Sequence, residues 1–276
     1  MRQILMAIGL LMTLNLSAGS ATNAIGSCLS DSIQLKAVIG EKLSGFEVDN
    51  LGYIYLLESS GRLKKLAPNG DSVGVFNDVR RFGKLYSMDV SNPLKVLLFY
   101  KDFGTIVVLD RFLNNRLTID LRKKQIFQAK AIAQSFDNGV WVYDELEGKL
   151  KRLDDGGNLL GETVDFRVIF DDAPSPDFIT DADRLVYLYD QAKGLFVLDY
   201  FGTLKNKVAL LDWMDLQVIG NRVLGRKGST LLRYVPGTLE LKEQVVPQIL
   251  EGADKVQVSM DFLYVLKEGK LHIYSL

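Results

Sequence analysis

Short apolar runs separated by polar turns recur along the chain from residue 53 onward. In each repeat an apolar run of about four residues precedes a polar turn that ends in glycine, and a second apolar run follows. The unit occurs six times, with turn glycines at Gly61, Gly104, Gly148, Gly194, Gly228 and Gly269. Glycine supplies the positive φ that tight hairpin turns require. The pattern therefore predicts six β-hairpins.

The repeat is longer than one hairpin, because the turn glycines are 34 to 46 residues apart. Polar pairs such as Asp49-Asn50 precede most hairpins, and breakers such as Pro68-Asn69-Gly70 follow them. Each repeat thus has room for four short strands, and no long segment shows helical periodicity. Four-stranded repeats of this length are typical of propeller blades. We therefore predict an all-β, six-bladed β-propeller of four-stranded antiparallel blades.

The last repeat has only three apolar strands before the final residue, Leu276. Residues 32–39 precede the first repeat and alternate between apolar and polar side chains. This N-terminal strand is expected to pair with the C-terminal blade and close the ring, which removes exposed sheet edges. Residues 25–276 are then a single domain.

Residues 1–24 have a different pattern. Arg2 is followed by an apolar run over residues 4–14 and then by small and polar residues. This order is typical of a secretory signal peptide, with cleavage after Ala21 or Ala24. The alternative is a buried N-terminal helix, and the run is short of the roughly 20 residues of a membrane span. We therefore expect export to the periplasm or the extracellular space, with no transmembrane segment in the mature chain.

The sequence Ile25-Gly26-Ser27-Cys28 loosely resembles a bacterial lipobox, in which the cysteine is lipidated. The apolar run ends near Leu16, about a dozen residues before Cys28, whereas the lipobox pattern puts the cysteine close behind that run. An unpaired cysteine near a loose N-terminus is the favoured interpretation. Lipidation at Cys28 would instead make the chain a membrane-tethered structural protein of the envelope.

Composition excludes several classes of function. The 276 residues are 47% hydrophobic, and 33 basic side chains balance 34 acidic ones. A chain with a net charge of -1 has no general attraction for nucleic acid. The single cysteine and the single histidine, His272, exclude an intrachain disulfide, a thiolate metal cage and a histidine-rich site. Nucleophile-elbow, Walker and dinucleotide motifs are absent from the sequence, so no catalytic residue or cofactor site is predicted.

The first repeat, with Gly52-Tyr53-Ile54-Tyr55-Leu56 and Gly61-Arg62-Leu63, resembles an NHL repeat. The fourth, with Leu185-Val186-Tyr187-Leu188-Tyr189-Asp190 and Gly194, is similar. The fifth departs most, because Gly225-Arg226-Lys227 replaces the usual end of the second strand. Six-bladed propellers of the NHL and TolB-like groups use this pattern. The resemblance implies a binding platform, or, in a minority of such propellers, a calcium-dependent hydrolase with carboxylate and asparagine ligands around the central channel.

Two groups of residues are candidates for a binding face. Acidic residues follow the second strand of most repeats, namely Glu58, Asp102, Asp144, Asp190 and Glu268. They would attract a cation or a basic partner, although solvation of tight turns is the favoured explanation. Large aromatic residues also occur in connections, namely Phe103, Tyr200, Phe201 and Trp213. Such side chains are common interface anchors, but core packing is the alternative for Trp213.

Together these features predict an exported, non-catalytic propeller that binds another protein or an envelope component as a scaffold. The alternative is a calcium-dependent hydrolase of small esters or lactones. That alternative requires several carboxylate or asparagine side chains to converge on the central channel.

Overall fold

The computed structural model describes residues 33–238, 240–259 and 261–276. Within these residues, 24 strands form six antiparallel sheets of four strands each. Blade 1 contains β2 (Leu43–Val48), β3 (Ile54–Glu58), β4 (Leu63–Leu66) and β5 (Ser72–Phe76), and blade 2 contains β6 (Ser87–Asn92), β7 (Lys95–Tyr100), β8 (Thr105–Asp110) and β9 (Asn115–Asp120). Blade 3 contains β10 (Ala129–Gln134), β11 (Val140–Asp144), β12 (Lys149–Leu153) and β13 (Leu159–Glu162), and blade 4 contains β14 (Phe178–Ala182), β15 (Leu185–Asp190), β16 (Gly194–Leu198) and β17 (Leu204–Val208). Blade 5 contains β18 (Met214–Ile219), β19 (Arg222–Lys227), β20 (Thr230–Tyr234) and β21 (Leu241–Val245), and blade 6 contains β22 (Lys255–Ser259), β23 (Phe262–Lys267), β24 (Lys270–Ser275) and β1 (Gln34–Ile39).

The first strand of each blade contacts the first strands of its neighbours, and β2 of blade 1 contacts β22 of blade 6. These six strands therefore surround a central axis, and the chain is a closed six-bladed β-propeller. The fold predicted from the repeat pattern is confirmed. No helix in the described ranges is long and apolar enough to cross a membrane.

The N-terminal strand closes the ring as predicted. β1 pairs antiparallel with β24, with Gln34 opposite Ser275 and Ile39 opposite Leu271, and a register shift falls between Leu35 and Ala37. Blade 6 is thus built from both ends of the chain, and β24 has a partner on each side. The predicted signal peptide and Cys28 lie outside the described residues.

Hydrophobic layers between the blades hold the ring together. In β15, Tyr187 and Tyr189 pack toward blade 5, whereas Val186 and Leu188 pack toward blade 3. Side chains of a strand point alternately to opposite faces of its sheet, so a strand covered on both faces is apolar at every position. This explains why the second strands are continuous apolar runs in the sequence.

The propeller has two faces. The hairpin face carries the turns between the first and second and between the third and fourth strands, at residues 49–53 and 67–71 in blade 1. The crossover face carries the turns between the second and third strands and the connections between blades. Three of these connections contain one-turn helices, α1 (Val79–Phe82), α2 (Phe166–Ile169) and α3 (Pro247–Leu250).

Candidate functional site

Aromatic side chains from two blades meet on the hairpin face. Phe136 lies in the turn after β10, and Tyr200 and Phe201 lie in the turn after β16. The rings of Phe136 and Tyr200 are stacked, with centroids 4.9 Å apart and planes 6° from parallel. Phe136 is 65% exposed and Phe201 is 90% exposed. Such large apolar groups in water are the usual mark of an interaction site when they are contiguous.

Arg152 completes this cluster, which we call the aromatic platform. The platform consists of Phe136, Arg152, Tyr200 and the adjacent Phe201, with Trp141 buried beneath them at 2% exposure. The Arg152 guanidinium carbon is 5.6 Å from the Trp141 ring centroid and 5.9 Å from those of Phe136 and Tyr200. A guanidinium near aromatic rings is attracted by their π electrons. Arg152 is therefore held between the three rings, with its planar group close to the surface.

The carboxylate of Asp137 pairs with the Arg152 guanidinium. Burial acts to raise the pKa of Asp137, but hydrogen bonds from Arg152 and the Gly139 amide outweigh it and lower the pKa below its usual value. The carboxylate is thus ionised at neutral pH and keeps Arg152 in place.

Asp181 fixes the platform from beneath. Its carboxylate accepts hydrogen bonds from the Tyr200 hydroxyl at 2.7 Å, from Trp141 Nε1 at 2.9 Å and from the Phe136 amide at 3.2 Å. Burial and the bond to Asp181 raise the pKa of Tyr200 above its ordinary value, so the phenol stays protonated and donates. One carboxylate in blade 4 thereby orients rings from blades 3 and 4.

The four aromatic candidates from the sequence divide among three places. Tyr200 and Phe201 belong to the aromatic platform. Phe103 lies on the crossover face and is 51% exposed. Trp213 is only 5% exposed and packs in the core between blades 4 and 5, where its carbonyl accepts a hydrogen bond from Tyr189. Trp213 is therefore not part of a surface.

The five acidic candidates all lie on the crossover face, beside the turns between second and third strands. Asp144 is buried and pairs with Lys151 at 2.9 Å, and Asp190 accepts hydrogen bonds from the amides of Ser175 and Ala192. Glu58 pairs with Arg62, whereas Asp102 and Glu268 are exposed. Where these acids have partners, they stabilise their own turns and connections.

Polar side chains around the axis mostly connect neighbouring blades. Glu47 of β2 pairs with Lys255 of β22. Asp89 of β6 accepts a hydrogen bond from the backbone N–H of Gln134 at 2.6 Å. Within residues 33–238, 240–259 and 261–276, no group of three or more histidine, cysteine, aspartate or glutamate side chains is arranged to hold a metal ion.

Sequence reasoning missed Phe136, Arg152 and Asp181. Phe136 carries a signal that could have been used, because it is a large apolar residue directly before the polar turn Asp137-Asn138. Arg152 and Asp181 lie in ordinary strand and turn sequence. Their role depends on the contact between blades 3 and 4.

No protein-family model matches the chain, and no curated protein matches it significantly. Solved structures match over most of its length. Virginiamycin B lyase from Staphylococcus aureus is 12% identical with a TM-score of 0.58, over 86% of this chain and 81% of that one. A streptogramin B lyase is 12% identical with a TM-score of 0.61, over 89% of this chain and 88% of that one. The Pan2 WD40 domain of Neurospora crassa is 9% identical with a TM-score of 0.63, over 89% of this chain and 96% of that one. At such identities the similarity establishes the propeller fold alone.

Proposed function

We propose that the chain is a non-catalytic propeller that binds another protein through its hairpin face, with the aromatic platform at the centre of the contact. The main supporting observation is that Phe136, which is 65% exposed, stacks on the half-buried Tyr200, and Asp181 holds Tyr200 from beneath. Tyrosine and arginine are enriched among the residues that dominate binding energy, and both Tyr200 and Arg152 are partly exposed in the platform. Side chains already fixed in place lose little conformational freedom when a partner binds.

The surroundings of the platform support a protein partner rather than a small ligand. Exposed apolar side chains occur in other turns of the same face, at Leu51, Leu94 and Phe112. Polar contacts such as the ion pair between Lys95 and Asp155 lie among them. An interface with apolar anchors and a polar surround is typical of protein–protein contacts.

The proposal includes export. A signal peptide over residues 1–24 would place the mature propeller in the periplasm or outside the cell, and its partner would then be another envelope protein. Lipidation at Cys28 would tether it to a membrane, and intact mass measurement of the protein from its native host distinguishes an acylated Cys28 from a free one.

A lyase activity is not part of the proposal. One Staphylococcus aureus virginiamycin B lyase structure carries a histidine-to-alanine substitution described as catalytically inactive. The single histidine here, His272, lies half-buried on β24, between β23 and β1 of blade 6. It is away from the first strands that surround the axis. A calcium-dependent hydrolase remains the second hypothesis from sequence, and thermal stabilisation by calcium would support it.

The test is crosslinking and capture of the protein, tagged at its C-terminus, in its native host. The double variant Phe136→Ala with Phe201→Ala removes the exposed rings of the platform. Phe103→Ala is the matched control, because it removes an exposed phenylalanine from the opposite face. We expect one strongly enriched partner with the parent chain and with Phe103→Ala, and at least a tenfold loss with the double variant.

Equal capture by the parent and the double variant would refute the platform as the binding centre. Loss with Phe103→Ala alone would move the contact to the crossover face. All three proteins must show the same thermal unfolding, so that lost binding is not lost folding.

A further inference from the structure

A cavity of about 650 Å³ lies between blades 5 and 6. Its walls include Leu224 and Leu231 of blade 5 and Val256 and Val258 of blade 6. Arg226 lies at the end of the cavity nearest the crossover face. Arg222 lies at the opposite end, near the turn between β18 and β19 on the hairpin face. Ligand sites for small molecules commonly have volumes of about 300–1,000 Å³ and predominantly apolar walls.

The cavity exists because blade 5 lacks an aromatic residue that the other blades have. Second strands of the other five blades direct an aromatic ring toward the next blade, namely Tyr55, Phe99, Tyr143, Tyr187 and Tyr264. In blade 5 the corresponding side chains are Leu224 and Arg226. Among the described residues, this interface has five buried hydrophobic side chains, against nine to twelve at the other interfaces. Protein interiors are otherwise close-packed, so the missing ring leaves space.

Arg226 keeps that space from closing. Its guanidinium donates from Nε to Asp215 Oδ2 at 2.5 Å, from Nη2 to the Ala253 carbonyl at 3.0 Å and from Nη1 to the Gly228 carbonyl at 3.3 Å. Asp215 in turn accepts from the Val256 amide at 2.9 Å. At the crossover-face end of the cavity, Arg226 and Asp215 therefore form a fixed ion pair whose hydrogen bonds are satisfied, and this end needs no charged ligand.

The end of the cavity nearest the hairpin face carries excess positive charge. Arg233 and Lys242 share the carboxylate of Glu240, at 3.5 Å and 3.0 Å. Within the described part of the chain, no carboxylate lies within ion-pair distance of Arg222. Glu243 is the other acid that lines the cavity besides Asp215. An anionic group at this end would face Arg222, Arg233 and Lys242, and Arg222 has no acidic partner among the described residues.

We propose that this cavity binds a single-chain amphiphile with an anionic head, of the fatty carboxylate class. The alkyl chain lies between Leu224, Leu231 and Val258, and the carboxylate lies beside Arg222 and Lys242. From Arg222 to Arg226 the strand β19 covers about 13 Å at 3.3 Å per residue, which is the span between the two charged ends of the cavity. The site is independent of the protein-binding function proposed above.

The test is isothermal titration calorimetry of the delipidated full protein with dodecanoate below its micellar concentration. Dodecyltrimethylammonium, with the same chain and the opposite charge, is the matched probe. We expect dodecanoate to bind at least tenfold more tightly. Equal affinity for the two probes, or no binding of dodecanoate, would overturn the proposal.

Two variants locate the site. Leu231→Trp fills the cavity and is expected to abolish dodecanoate binding, whereas Arg222→Glu with Lys242→Glu is expected to weaken it at least tenfold. Arg116→Glu changes an exposed arginine on the outer strand of blade 2 and should leave affinity unchanged. The surface variants also provide a test if Leu231→Trp fails to fold. Binding that survives both changes in folded protein would exclude this cavity as the site.

Discussion

The side-chain amide of Gln257 in blade 6 makes two hydrogen bonds with the backbone of Val48 in blade 1. Its Nε2 donates to the Val48 carbonyl at 2.8 Å, and its Oε1 accepts from the Val48 amide at 2.9 Å. Gln217, forty residues earlier, binds Val258 in the same way, at 3.1 Å and 2.8 Å. The same amide contact therefore joins blade 5 to blade 6 and blade 6 to blade 1, near the axis.

Replacing Gln257 with alanine should destabilise the propeller by about 1–3 kcal/mol, because it leaves the buried carbonyl and amide of Val48 without partners. Urea unfolding followed by circular dichroism measures this change. Gln191→Ala, at an exposed turn position, is the control and should be neutral. Identical midpoints for the parent and Gln257→Ala would contradict this role of the contact.

Removing β1 should destabilise blade 6. A chain without residues 1–39 leaves β24 unpaired on one side, and exposed edges pair with other chains. We expect oligomers and a lower melting temperature, measured by light scattering and thermal unfolding. A chain without residues 1–32 retains β1 and is the control. A stable monomer after both truncations would show that β1 is dispensable.

Two glycines in outer strands should respond oppositely to alanine. A Cβ at Gly74 would lie 2.3 Å from the Phe112 carbonyl oxygen, whereas a Cβ at Gly161 has no atom within 4 Å. Neither residue has a positive φ. Gly74→Ala should therefore cost about 1–3 kcal/mol through overpacking. Gly161→Ala should be neutral or stabilise by up to about 1 kcal/mol, because the unfolded chain loses freedom. Comparable losses from both substitutions would contradict the close contact at Gly74.

Glu47 should make stability depend on pH on the acidic side of neutrality. Burial raises the pKa of Glu47 above its unfolded value of 4.5, Lys255 opposes the shift, and Asp89 and Asp215 add to it. The folded state therefore holds this proton at a higher pH than the unfolded state does. Its contribution to stability is largest below pH 4.5 and is lost as the pH rises through the folded pKa.

The measurement is the difference in unfolding free energy between the parent and Glu47→Gln, from pH 4.5 to pH 7. The parent should lose stability relative to the variant as the pH rises. The other ionisable groups are the same in both proteins, so their contributions cancel in the difference. A constant difference across this range would contradict the raised pKa.

Local sequence was sufficient for the architecture. The glycines at 61, 104, 148, 194, 228 and 269 all lie in or beside the turns that join second to third strands, because tight turns depend on the backbone freedom of one residue. The closing strand was also predictable, since the last repeat has only three strands and residues 32–39 alternate like a strand ahead of the first repeat. Six repeats in one chain leave little choice of fold.

The sites depended on contacts between blades, which local patterns do not encode. Phe136 and Tyr200 are 64 positions apart, and they stack because blades 3 and 4 are neighbours joined through Asp181. Trp213 lies in a connecting segment yet is buried, because Gly225 of the adjacent strand leaves room for its ring. Gly225-Arg226-Lys227 was visible as a departure from the repeat, but its consequence, a cavity beside blade 6, appears only when the two blades are packed. Turn chemistry acts within a few residues, whereas packing depends on which blades meet.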